Sequence, residues 1–226
     1  MSPMQYIVRR AKQAPDLSPD SDLSTWNAAE TIHVDQFRPE SSSHHPRTAA
    51  RMLYDDTHLF VRFDVQDQFI RCIRDQYQDI VSKDSCVEFF LKPKKTTGYF
   101  NFEINCGGTL LLYYIEDPTR APDAFFRKFK SLPPELGRQV EIKSSLPRRI
   151  DPEITAATDW QMTVAVPFSI LESYTGSLTP VSGQTWEGNF FKCGDECSHP
   201  HWASWSPIEG VLRFHQPQFF GQFHFE

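Results

Sequence analysis

Apolar and polar residues alternate with a period of two along much of this chain, and that pattern predicts strands. In 59–65, Leu59, Val61, Phe63 and Val65 share one face while Phe60, Arg62 and Asp64 share the other. Asp55–Asp56–Thr57 just before them is turn chemistry, so an extended 48–54 and the 59–65 run are expected to form a hairpin. In 86–91, Val87, Phe89 and Leu91 oppose Cys86, Glu88 and Phe90. In 99–105, Phe100, Phe102 and Ile104 oppose Tyr99, Asn101, Glu103 and Asn105. Gly107–Gly108 turns that strand into another over 109–115. Further strands are expected over 140–144, 159–167, 183–193 and 221–226, with Trp160, Met162, Val164 and Val166 inward in the second of these.

The intervening segments lack this period. Residues 1–25, with Pro, Ser and Asp clustered in 15–22, read as an irregular lead-in. The stretch 37–46 is loop, 71–81 is a short helix or ordered loop, and 92–98 closes a strand. The Pro-rich 116–136 reads as a long excursion with one helical turn, and 167–171 as a short helical turn. No repeat, heptad or linker divides the chain. Roughly eight to ten strands at this spacing indicate one all-β domain over 26–226. The expected fold is an antiparallel, jelly-roll-like β-sandwich with long loops and at most short helices.

Composition narrows the function. A chain of 226 residues is long enough to bury roughly 70% of its unfolded surface. A net charge of −6 gives no basic footprint for nucleic acid. No apolar run reaches the roughly 18 residues that would cross a bilayer. The first ten residues lack an apolar core of a secretory signal, so the expectation is a cytoplasmic chain as it stands, or a secreted one if a leader has been removed. Five cysteines, an odd number, do not form a disulfide framework.

Five stretches, taken in order, carry a family resemblance: YDDTHLFVRF at 54–63, DSCVEFFL at 84–91, YFNFEIN at 99–105 with Gly107, Trp160 with VPF at 166–168, and Asn189–Phe190 through SWSP at 204–207 to Phe214–His215 and Phe219–Phe220–Gly221. Together they resemble the carbohydrate-binding module family 9-like domains of the wider DOMON-like β-sandwich group. The resemblance implies non-catalytic binding of a mono- or oligosaccharide between two tryptophans and a partner glycoside hydrolase; characterised members carry calcium sites, but no cofactor is expected from the residues themselves. No Trp stands near 69–79, where one wall of such a clamp is expected.

A sugar presents hydroxyls and an apolar C–H face, so its site needs planar polar groups and an aromatic platform. Arg62, Glu88, Asn101, Glu103 and Asn189 supply that polar chemistry from the polar faces of their strands, with Lys192 as an addition. An ordinary solvated sheet face would show the same alternation. Trp202, in a polar loop between His201 and Ala203, is the expected platform, with Trp205 second; Trp26, Trp160 and Trp186 are expected in the core or at its rim.

Cys193, Cys197, His199 and His201 form a C-x3-C-x-H-x-H cluster whose donors suit zinc. Its spacing is tighter than finger-type pairs, and shaping the binding loop is the favoured role. Asp55, Asp56, Asp64 and Asp67 do not spell a calcium loop. Two other functions remain open. One is a heme-binding or redox-associated module, for which Met52 and Met162 are the axial candidates, although both fit a core equally and no C-x-x-C-H is present. The other is a glycan-active enzyme using Glu88 and Glu103.

Overall fold

The computed structural model describes residues 3–19, 21, 23–93, 96–122 and 125–226. Met1, Ser2, Asp20 and Asp22 of the expected lead-in, Lys94 and Lys95 of the expected 92–98 turn, and Asp123 and Ala124 of the expected excursion lie outside the described residues.

In chain order the first eight strands are β1 (Gln5–Arg10), β2 (Ile32–His33), β3 (Gln36–Phe37), β4 (Arg47–Tyr54), β5 (His58–Asp67), β6 (Ile70–Cys72), β7 (Cys86–Lys92) and β8 (Tyr99–Asn105). The others are β9 (Leu110–Arg120), β10 (Phe126–Ser131), β11 (Glu141–Ser144), β12 (Ile150–Ile154), β13 (Thr158–Pro167), β14 (Thr185–Cys193), β15 (Trp202–Ser204) and β16 (Gly221–Phe225). Two short helices, α1 (Pro134–Gly137) and α2 (Phe168–Thr175), complete the regular structure with a few 3-10 turns. Among the described residues no helix is long and apolar enough to cross a membrane.

The sandwich has two layers. One sheet runs β10-β9-β8-β7-β14-β16-β1, with β15 and β3 added beside β14. The other runs β1-β4-β5-β13-β11, with β2 beside β4. Strand β1 belongs to both: Gln5 to Val8 pair in parallel with β16, and Arg9 and Arg10 pair in parallel with β4.

Alternation decides what lies between the layers. Val87, Phe89 and Leu91, and Phe100, Phe102 and Ile104, face Leu59, Val61, Phe63 and Val65, and Trp160, Met162, Val164 and Val166. Phe89 and Phe102 are direct cross-strand partners, and their rings stack at 4.6 Å. Each wholly buried Phe contributes about 1.5–3 kcal/mol. Gly188 sits in this layer because a Cβ there would strike the Phe90 carbonyl and the Phe223 ring. Asp55 closes the β4–β5 turn, its Oδ1 accepting from the Thr57 and His58 amides at 2.8 and 2.7 Å.

Three expectations need correction. The irregular lead-in contains β1, held because Tyr6 and Val8 are buried and the Tyr6 hydroxyl both donates to the Glu30 carbonyl and accepts the Met52 amide. The 116–136 excursion is largely a hairpin of β9 and β10, braced on its exposed side by Lys128–Glu116 at 2.9 Å; the helical turn follows as α1. The expected polar faces of β7 and β8 are not solvated, and every residue of β8 is buried.

Candidate functional site

Strands β14, β7, β8 and β9 turn a second set of side chains away from the sandwich. Their register aligns Phe191, Glu88, Glu103 and Leu111 in one row, and Asn189, Phe90, Asn101 and Tyr113 in the next. The C-terminal segment covers part of this face with Ile208, Phe214 and Phe220, which pack on Phe90, Tyr99 and Phe191. Covering one part and leaving another creates a cleft of about 680 Å³. Glu88, Glu103, Leu111, Tyr113 and Cys193 supply the sheet residues of this cleft, while Asp195, Trp202, Arg120, Arg213 and His215 line it from its edges.

The acids of the cleft are unusual. Glu88 and Glu103 are cross-strand partners, both buried. Burial first, and the facing Glu103 second, push the Glu88 carboxyl well above the usual range. Burial raises Glu103 to about 7, against the opposing hydrogen bond from Asn101 Nδ2 at 2.7 Å. Glu88 Oε1 accepts from the Cys193 thiol at 3.2 Å.

His215 completes a polar chain. Tyr99 Oη lies 2.9 Å from its Nδ1, and its Nε2 lies 3.8 Å from Glu103 Oε1. Burial, aided by Arg120 and Arg213, lowers His215 to about 3, so its ring is neutral. With the tyrosine hydroxyl donating to Nδ1, the remaining N–H is directed at Glu103. Trp202 is half-buried, and its indole N–H donates to Asp195 Oδ1 at 2.7 Å. The cleft therefore joins hydrogen-bonding carboxyl groups, two arginines and an indole, the combination needed to hold a hydroxylated ring with one apolar face.

The model of carbohydrate-binding family 9 matches residues 20–225. The chain belongs to this family. Among solved structures, it is similar to one described as a putative carbohydrate-binding protein from Bacteroides uniformis, with 27% identity, a TM-score of 0.86 and complete coverage of both chains. It also shares its fold with a family 9 module from Caldicellulosiruptor kristjanssonii, solved with glucose and with cellotriose. Both comparisons give 12% identity and cover 99% of this chain, with TM-scores of 0.64 and 0.66 over 96% and 94% of the respective module chains. No curated protein matches the chain.

Within this family 9 domain the expected ligand residues separate into three groups. Glu88, Glu103 and Trp202 line the cleft. Asn101 and Asn189 lie on the same sheet face but are committed to support. Asn101 binds Glu103 and accepts the Tyr113 amide at 3.0 Å, and Asn189 holds both the amide and the carbonyl of Ser206 at 2.9 Å. Arg62, Lys192 and Trp205 lie elsewhere. Arg62 is on β5 of the opposite sheet, paired with Asp64 at 2.9 Å. Lys192 shares the inward phase of Phe190 and points between the sheets, where it meets Asp67. Trp205 stacks in the core on Phe223 at 5.5 Å.

Cys193, Cys197, His199 and His201, the minority candidates for a zinc site, do not converge. Cys197 contacts Ser85, and His199 stacks on Phe69 at 3.7 Å. His201 accepts from Lys192 at 2.8 Å, and only Cys193 reaches the cleft. The four aspartates do not fit calcium either. Asp55 caps a turn, Asp56 pairs with Arg10, Asp64 with Arg51 and Arg62, and Asp67 with Lys192. Met52 and Met162, the heme-ligand candidates, are buried core residues.

Tyr113, Arg120, Asp195, Arg213 and His215 were not singled out as site residues from the sequence. One signal was available: Leu111, Tyr113 and Ile115 alternate on the face shared with Glu103 and Asn101, which a purely solvated face would not favour.

Proposed function

We propose that the cleft holds a mono- or short oligosaccharide non-covalently and performs no chemistry on it. The observation that carries this reading is the meeting of Glu88, Glu103 and Arg120 with the Trp202 indole in one cleft. Carboxyl groups and a guanidinium suit the hydroxyls, and the indole suits the apolar ring face. Family membership supports a sugar as the ligand, and the glucose and cellotriose bound by the Caldicellulosiruptor kristjanssonii module make these two sugars the first to test. Binding without cleavage is favoured because Glu88 and Glu103 are side-by-side neighbours on one sheet, both inclined to hold protons. A glycosidase instead flanks the scissile bond with one acid and one ionised carboxylate. A module of this kind would work beside a glycoside hydrolase that it keeps close to its substrate.

Titration calorimetry with glucose and cellotriose, extended by a glycan array, tests the reading. Saturable binding that falls on Trp202→Ala is expected. Turnover of aryl-glycosides that disappears on Glu88→Gln would overturn the non-catalytic part, and absence of binding to every arrayed glycan would overturn the whole.

A further inference from the structure

We propose that Cys86, Cys193 and Glu88 form a binding site for one zinc-type divalent cation in the floor of the cleft. Cys86 on β7 and Cys193 on β14 are direct cross-strand partners. Glu88 follows Cys86 by two residues, so strand alternation puts its side chain on the same face. Both sulfurs and a carboxylate oxygen of Glu88 lie within 4.8 Å of one another. Among the described residues no other three His, Cys, Asp or Glu side chains meet in this way.

The spacing suits a small tetrahedral centre. With Zn–S near 2.3 Å and Zn–O about 2.0–2.2 Å, adjacent donors stand roughly 3.5 Å apart. The Cys193 Sγ to Glu88 Oε1 distance is 3.2 Å. Two sulfurs and one oxygen select a borderline-soft ion such as zinc over calcium or magnesium, which take all-oxygen shells. The three donors come from two hydrogen-bonded strands rather than from mobile loops, so little rearrangement is needed.

Charge gives the second line of support. Glu88 is buried, its neighbour Glu103 is another acid, and among the described residues no ion pair is made by Glu88. Buried charges are paired or coordinate metals, and a divalent ion would supply the ion-pair partner that Glu88 lacks. Its binding displaces the two thiol protons and the carboxyl proton to solvent, and the three donors then share its two positive charges. Three protein donors leave a fourth position vacant, the pattern of an open site. Glu88 and Cys193 both line the cleft, so that position is reached from it by water or a ligand oxygen. The site stands without the sugar, and its failure would leave the sugar reading intact.

The test uses the full chain, kept reduced, stripped with a chelator and then loaded with zinc or cobalt. One zinc retained per chain after gel filtration is expected, measured by elemental analysis. Cobalt loading is expected to give a thiolate-to-cobalt charge-transfer absorption. Cys86→Ser and Cys193→Ser should each weaken zinc binding by more than the roughly 10–100-fold that loss of an outer partner causes. Cys197→Ser should leave the zinc content and the cobalt band unchanged. Circular dichroism identifies any variant that fails to fold, and the wild-type cobalt spectrum then decides. No zinc retained by the wild type, cobalt bound without a thiolate band, or a band lost on Cys197→Ser would each overturn the proposal.

Discussion

Lys192 Nζ lies 3.3 Å from Asp67 Oδ2, with both side chains enclosed at one end of the sandwich. The ammonium also donates to the Cys193 carbonyl at 3.1 Å and to His201 Nε2 at 2.8 Å. Asp67 in turn accepts from His44 Nε2 at 2.8 Å and from the Gln68 amide at 2.7 Å. Burial alone would raise the Asp67 carboxyl, but Lys192 and His44 together carry it well below the usual carboxylate range. This pair ties the loop that carries Trp202 to the end of β5, so its contribution to the cleft is through support of that loop.

Lys192→Met is therefore expected to destabilise the fold by about 3–5 kcal/mol, because it leaves a buried carboxylate without its cation. The double variant Lys192→Met, Asp67→Asn should recover much of that loss. Sugar affinity of the folded fraction should change little, since Lys192 does not line the cleft. Denaturant melts of both variants, followed by calorimetry on the folded single variant, check this. A single variant as stable as the wild type would show that the pair adds nothing.

The same cluster predicts a pH dependence. Burial, then the adjacent Lys192, lower His201 to about 3, against a modest opposing effect of its bond to the His199 carbonyl at 2.9 Å. Asp67 raises it slightly and His44 lowers it, without changing the outcome. An unfolded histidine titrates near pH 6.5. The unfolded chain thus takes up a proton that the folded chain refuses. Stability from His201 is present above about pH 6.5 and is lost as pH falls from there toward about 3, at up to about 1.4 kcal/mol per pH unit. His215 and Asp67 add acid sensitivity of their own, and buried Glu103 acts in the opposite direction. The useful observable is consequently the difference between wild type and His201→Gln. Unfolding free energies from pH 7.5 down to about pH 4.5 should converge or cross as the wild type loses stability faster; parallel curves would contradict the assignment.

Trp202 and Trp205 are three residues apart but lie in separate settings, Trp202 at the cleft and Trp205 in the core. Trp202→Ala should weaken sugar binding by roughly tenfold, equivalent to about 1.4 kcal/mol for a lost aromatic platform, with a small change in stability. Trp205→Ala should cost about 3–5 kcal/mol of stability, because it opens a cavity against Phe223. Parallel calorimetry and denaturant melts separate the two. If Trp205→Ala left stability untouched while abolishing binding, the roles would be reversed.

Much of this division was open to sequence reading, and the rest was hidden for physical reasons. Strand β8 was legible because Phe100, Phe102 and Ile104 alternate without interruption, and Glu88 and Glu103 followed from the same phase. Trp202 was legible as an aromatic in a polar loop. Strand β1 was not, since only Tyr6 and Val8 carry its pattern and its partner Gln222 lies at the other end of the chain. Lys192 was read by its charge, although its phase with Trp186 and Phe190 puts it inward. The second apolar layer escaped notice because it needs the 206–220 segment to fold back over Phe90 and Phe191, and no local period encodes that return.

Asn189 offers the sharpest test of how that returning segment shapes the cleft. Its amide nitrogen donates to the Ser206 carbonyl and its oxygen accepts the Ser206 amide, each at 2.9 Å, as two adjacent strands would bond. Both bonds are buried, so truncation leaves two backbone groups without partners at a cost of about 1–3 kcal/mol each. The segment beyond Ser206 carries Arg213 and His215 to the cleft. Asn189→Ala should therefore raise amide hydrogen exchange in 206–216 while exchange within β8 stays slow. Sugar affinity should fall in proportion to the opening, even though Asn189 is not among the residues lining the cleft. Asn189→Asp, which keeps the acceptor for the Ser206 amide, should lie between alanine and wild type in both measurements. Lost affinity without faster exchange in 206–216 would instead make Asn189 a direct ligand, as its strand phase alone suggested.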